Sequence, residues 1–226
     1  MASVSRKQVL IALVCVAILV AAGAAYFILT GSSSSNSVVP QANERFGVQV
    51  TSYDRTLGSP KAPILMLEYA APSCPHCAHF NEAFFPALKQ QYIDTGKVYY
   101  IFRVYPLSAA DVAAESIARC LPADNYFSFI DLLFRNQMKW DPEYRVPDVR
   151  AALVDMAKIA GMGQAQTDGC ISDQAAAQKI TQVGQDATAK YGVSSTPTFI
   201  VNGQVHGPFE STDELKAFLD PMLPKK

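Results

Sequence analysis

Two cysteines two residues apart, Cys74–Pro75–His76–Cys77, stand where an apolar strand-like run hands over to a helix-like one, and few folds accommodate that junction. Upstream, Ile64–Leu65–Met66–Leu67–Glu68–Tyr69–Ala70 is short, apolar and bounded by turn formers, the pattern of a buried strand. Pro72 and Ser73 break it. A helix is predicted from Cys74 or Pro75, because proline is tolerated in a first helical turn where its missing N–H is not needed. Phe80, Phe84 and Leu88 carry it towards Tyr92, and Pro86 predicts a kink near Glu82–Ala83. After Gly96, Val98–Val104 reads as a second strand, which makes a βαβ unit with a right-handed crossover.

That location gives the cysteines their chemistry. On a first helical turn, a two-residue spacing brings both sulfurs within bonding distance. Free N–H groups and the helix dipole favour a thiolate on Cys74, the exposed attacking or leaving sulfur, while Cys77 lies one turn further in. His76 could add positive charge or a hydrogen bond beside the Cys74 sulfur. Zinc ligation by Cys74, His76, Cys77 and His79 is the poorer reading, since consecutive residues on one turn cannot easily aim four donors at one ion; no metal and no bound cofactor are expected. An inert structural disulfide is the other alternative. Glu68 is a carboxylate inside an apolar strand, six residues before Cys74. It is expected to be protonated, hydrated or functional, facing Cys77 to exchange its proton, unless it points outward from an edge strand.

From Ser108 to about Tyr191 no strand is evident. Helices are expected around Ala113–Leu121 and Phe127–Phe134, from Pro147–Asp148 to Gly161, and from the caps Ser172 and Asp173 to Gly192. Trp140, Phe134 and Tyr144 read as core of this helical region. Strands then return. Pro197–Val201, Asn202–Gly203 and Gln204–His206 form a tight hairpin, with His206 on its surface, and a last helix runs from Asp213 to Leu219 behind a Ser211 or Thr212 cap. A proline such as Pro197 belongs at a strand's first position or on an edge. Arg103, ending the second strand, is either a basic neighbour of the cysteines or a solvated strand-end residue.

The formal net charge of −1 over 226 residues, half of them hydrophobic, predicts no attraction to nucleic acid. The N-terminal segment differs from the rest. Arg6 and Lys7 precede an uncharged apolar run from Val9 to Leu29 that is long enough to cross a bilayer, and the one-sided basic residues place everything after Thr30 outside the cytoplasm. An uncleaved anchor is favoured over a cleaved signal peptide with Ala22–Gly23–Ala24 as its site, because Tyr26–Leu29 prolong the apolar run. Cys15 within it reads as inert. Residues 31–43 read as a Gly/Ser-rich tether. In an exported protein two further cysteines, Cys120 and Cys170, suggest a second disulfide, the alternative being two separate buried thiols.

With these elements in place the chain resembles the DsbA family of exported thioredoxin-fold proteins that carry an all-helical insert. The resemblance covers about Asp54 to Leu219. It rests on Ser59–Pro60–Lys61–Ala62–Pro63, Glu68–Tyr69–Ala70, the Cys-Pro-His-Cys motif and Tyr191–Phe199. It implies an α/β thioredoxin fold (βαβ, helical insert, ββα), with 44–107 and 187–226 forming the thioredoxin-like part and 108–186 the insert. By resemblance Cys74 is the nucleophile, Cys77 the resolving cysteine, Glu68 the buried acid, and Thr196–Pro197 a cis-proline loop that binds substrate backbone. Pro75–His76 resembles the dipeptide of oxidase members. The chain departs from the best-known soluble member in its anchor, in Thr196 where that member has valine, and in Cys120 and Cys170.

The expected function is a monomeric dithiol oxidase on the periplasmic side of the inner membrane. It would act on reduced exported proteins and be reoxidised by a quinone-linked membrane partner of DsbB type. An isomerase, or a tethered reductase such as one maturing cytochrome c, shares the fold. A non-enzymatic peptide-binding module is the third reading.

Overall fold

The computed structural model describes residues 43–224. The expected anchor, Cys15 and all of the tether but Asn43 lie outside those residues. Among the described residues no helix is long and apolar enough to cross a membrane.

Two seven-residue strands organise the molecule. Strands β1 (Asn43–Arg45) and β2 (Val48–Val50) make a small hairpin, and β3 (Arg55–Leu57) follows. Strands β4 (Ile64–Ala70) and β5 (Val98–Val104) run parallel, residue 64 opposite 98 through residue 70 opposite 104. Between them lie α1 (Pro75–Ala83), α2 (Phe85–Leu88) and a π-helical turn, Lys89–Ile93. The break falls at Phe84, because Pro86 has no N–H to return to the carbonyl of Glu82. After the helical region come β6 (Thr198–Val201) and β7 (Gln204–His206), joined through Asn202 and Gly203, both at positive φ as this tight turn requires. The five-stranded sheet has the order β3-β5-β4-β6-β7, with β4–β5 its only parallel pair.

All seven residues of β4 are buried, so strand alternation divides them between two cores. Ile64, Met66 and Ala70 face the larger core with Cys74, Cys77 and Phe80, whereas Leu65, Leu67 and Tyr69 face the smaller one with Ala187 and Val193. Strand β5 alternates likewise: Tyr100, Phe102 and Val104 go to the cysteine side, Tyr99 and Ile101 to the other. Glu68 shares the face of Met66 and Ala70. Arg103 shares the face of Tyr99 and Ile101.

The helical region comprises α3 (Ala109–Cys120), α4 (Tyr126–Arg135), α5 (Gln137–Trp140), α6 (Val149–Ile159), α7 (Gln164–Ser172) and α8 (Gln174–Tyr191). Caps at Ser108, Asp148 and Asp173 start α3, α6 and α8, and Gly192 in the left-handed region ends α8. Helix α8 runs unbroken across residues 186–187. Trp140 and Phe134 are core residues, but Tyr144 is exposed on the turn after α5. Ser211 caps the last helix, α9 (Thr212–Leu219). His206 is not merely a surface residue: its ring stacks on Phe209 at 4.4 Å and packs on Phe218 at 4.5 Å.

Candidate active site: a reduced cysteine pair at a helix start

Cys74 is the N-cap of α1, and its sulfur accepts the Cys77 N–H at 3.3 Å. The thiol in turn donates to the carbonyl oxygen of Thr196 at 3.3 Å. Thr196 precedes a cis peptide bond to Pro197, at the end of the loop that enters β6. The sequence-predicted groups Cys74, Pro75, His76, Cys77, Thr196 and Pro197 thus meet at one end of the sheet.

The two thiols are both free and both buried, Cys74 at 4% exposure where an exposed sulfur is expected from the sequence, and they are driven apart in acidity. The hydrogen bond from Cys77 is the largest influence on Cys74. With the side chain of Thr196 and the backbone N–H groups of Cys77 and His76, it outweighs burial and lowers the Cys74 pKa to about 6. The His76 backbone N–H is one of these influences, and its side chain is exposed at the rim. Burial raises Cys77 well above the ordinary thiol value, with Cys74 and then Glu68 adding to the effect. One sulfur is thus prepared to carry negative charge and the other to keep its proton.

Glu68 lies in a central strand and is 2% exposed, so the edge-strand alternative does not hold. Burial pushes its pKa up to about 8, although the hydroxyl of Tyr100 donates to the carboxylate at 2.6 Å. Glu68 also lines a cavity of about 670 Å³ between β3, α1 and α4, beside Tyr100 and Phe80. Arg103, on the opposite face, pairs with Asp54 at 2.6 Å and takes no part in the site.

The helical region supplies residues that the sequence reading passed over. Asp111, fully buried, accepts the Ser73 backbone N–H at 2.8 Å and the Ser73 hydroxyl at 3.0 Å, and it also accepts the N–H groups of Leu107 and Ser108. Gln137 donates to the carbonyls of Pro72 and Cys74 at 2.8 and 3.0 Å. The loop delivering Cys74 is therefore held from above by α3 and α5. Ser108 followed three residues later by Asp111, ahead of an apolar run, is a capping-box signal that could have pointed to Asp111. Gln137 gave no such signal. Cys120 and Cys170 form a disulfide joining the end of α3 to α7.

A family model described as thioredoxin matches residues 50–221, most of the chain. The chain belongs to the thioredoxin family. Within it the likeness is to DsbA proteins. The crystal structure of alpha-DsbA1 from Wolbachia pipientis superposes with a TM-score of 0.70 at 32% identity, covering 76% of this chain and 92% of that one. Among curated proteins, one from Rickettsia bellii whose name assigns it to the protein-disulfide oxidoreductases is 33% identical over 151 residues, 66% of this chain. The match spans 57% of that relative's length. The disulfide bond formation protein D of Bacillus subtilis is 27% identical, covering 75% of this chain and 77% of that protein. Within the thioredoxin family the chain belongs with the DsbA proteins.

Proposed function

We propose that this thioredoxin-family protein is a dithiol oxidase that introduces disulfides into newly exported proteins. The observation that carries the reading is the Cys74 sulfur at the N-cap of α1, where it accepts the Cys77 N–H at 3.3 Å, an arrangement that favours the thiolate and lowers the Cys74 pKa to about 6. Stabilising that thiolate stabilises the reduced form and so makes the Cys74–Cys77 disulfide more oxidising.

In the oxidised enzyme a substrate thiolate attacks Cys74, forming a mixed disulfide and releasing Cys77 as the leaving sulfur. Cys77 takes up a proton, as its raised pKa favours, and Glu68 is the neighbouring carboxyl able to supply it. A second substrate thiolate attacks the substrate sulfur of the mixed disulfide and displaces Cys74 as a thiolate. The substrate loses two electrons and two protons; the enzyme gains the two electrons, one proton ends on Cys77, and the other passes to solvent. No bound cofactor is needed, because the cysteine pair carries the electrons. The Thr196 carbonyl beside Cys74 is placed to pair with an extended substrate backbone. A quinone-linked membrane partner of DsbB type would restore the disulfide, and the N-terminal anchor would hold the domain near it on the periplasmic side. A reductase or isomerase would use the same residues at a lower potential.

The test is stoichiometric oxidation of a reduced multi-cysteine protein. Substrate thiols are expected to disappear as thiols appear on the oxidised enzyme, and Cys74→Ser abolishes the transfer. Oxidation by Cys74→Ser at the wild-type rate contradicts the proposal.

A further inference from the structure

A cavity of about 400 Å³ opens beside the redox pair, between Cys74 and Thr196 on one side and the turn after α5 on the other. Its lining includes Cys74, His76, Leu107, Asp141, Glu143 and Thr196. The carboxyl of Asp141 is its most informative group. Asp141 is 1% exposed, Oδ1 caps the following turn by accepting the Glu143 N–H at 3.1 Å, and Oδ2 is buried with no hydrogen-bond partner. A buried carboxylate oxygen without a donor is costly and calls for one. The other buried acid nearby, Asp111, is fully engaged by Ser73, Leu107 and Ser108. Glu143 adds a second carboxylate, and among the described residues lining the cavity there is no lysine or arginine.

We propose that this cavity is a substrate subsite that receives a lysine or arginine side chain adjacent to the substrate's reacting cysteine, with Asp141 as its anchor. The inference rests on the oxidoreductase reading of Cys74. Leu107, 54% exposed, and Pro75 give the mouth an apolar lip on which the aliphatic stem of such a side chain lies. The cationic head then gives Oδ2 a charge-assisted hydrogen bond. The same cation lowers the pKa of the neighbouring substrate thiol and raises the fraction present as thiolate. Asp141 is thus a specificity-determining residue, outside the bonds that form and break.

The experiment uses Cys77→Ser protein, whose Cys74 thiolate attacks a peptide disulfide bearing a thionitrobenzoate leaving group. The peptide–Cys74 disulfide forms and coloured thionitrobenzoate leaves as a thiolate. Peptides carry Lys, Gln or Glu beside the cysteine, or Lys four residues away. Each rate is divided by that of the same peptide with glutathione. The expected result is a rate roughly tenfold higher for adjacent Lys than for adjacent Glu, lost for distant Lys and cut to about twofold in Asp141→Asn, which keeps the Oδ1 cap. Equal normalised rates, a preference indifferent to position, or a preference that survives Asp141→Asn in a protein with unchanged melting overturns the subsite. If the preference is present but wild-type protein oxidises no reduced substrate, the oxidase reading fails and the subsite stands. If thionitrobenzoate is released from no peptide, both fall.

Discussion

At the scale of single residues, Glu68 is the most revealing. A lone carboxylate in a seven-residue, otherwise apolar strand marked it out, but the sequence left open whether it is buried or points outward from an edge, and the central place of β4 decides for burial. Its consequence can be measured. Glu68 has a folded pKa of about 8 against an ordinary 4.5, so the folded state keeps a proton there that the unfolded chain gives up. The stability contributed by that bound proton is complete below pH 4.5 and is lost as the pH rises through about 8. Replacing the carboxyl by an amide removes the dependence. Glu68→Gln is therefore expected to stabilise the protein by roughly 3 kcal/mol at pH 7 and by roughly 1 kcal/mol at pH 5. Urea unfolding at the two pH values checks this, and an equal effect at both contradicts it. Asp111, Gln137 and Asp141 were not legible in the same way. A polar residue on a helix or in a turn reads as solvated, and only the packed structure shows Asp111 and Gln137 buried against the loop of Cys74 and Asp141 buried in the turn after α5.

At the scale of elements, the cysteine helix depends on partners outside the βαβ unit. Asp111 in the first turn of α3 satisfies N–H groups of Ser73, Leu107 and Ser108. Asp111→Ala leaves buried donors unpaired, and the expected loss is roughly 3 kcal/mol, read by urea unfolding. The thiolate absorbance of Cys74 is expected to titrate at higher pH in the variant; a loss under about 0.5 kcal/mol with an unmoved titration would contradict the account. Strands β4 and β5 were legible to the residue, because burial on both faces makes their sequences continuous apolar runs closed by turn formers. Strands β1, β2 and β3 were not. Each has three residues, too few to show a period, and Arg55–Thr56–Leu57 is embedded in a turn-rich stretch. Helix α7 gives no sequence signal either, since its only buried side chains are Thr167 and Cys170 and it shows no apolar stripe.

At the scale of the whole molecule, the thioredoxin-like sheet and the helical region meet around the Cys74 loop, and the Cys120–Cys170 bond ties the helical region to itself. That bond spans a sequence separation of 50 residues. In the chain-entropy picture a loop of that length contributes about 4 kcal/mol. The paired Cys120→Ser, Cys170→Ser protein is expected to lose about that much stability in urea, and a loss below about 1 kcal/mol would show that the reduced chain retains the same constraint. The account centres on a cysteine pair whose reduced state is favoured, and its most direct test is the reduction potential of Cys74–Cys77 by equilibration with glutathione. A potential more oxidising than roughly −180 mV is expected of an oxidase built on this thiolate. A value near about −270 mV, the level of thioredoxin itself, would contradict the account and identify the protein as a reductase.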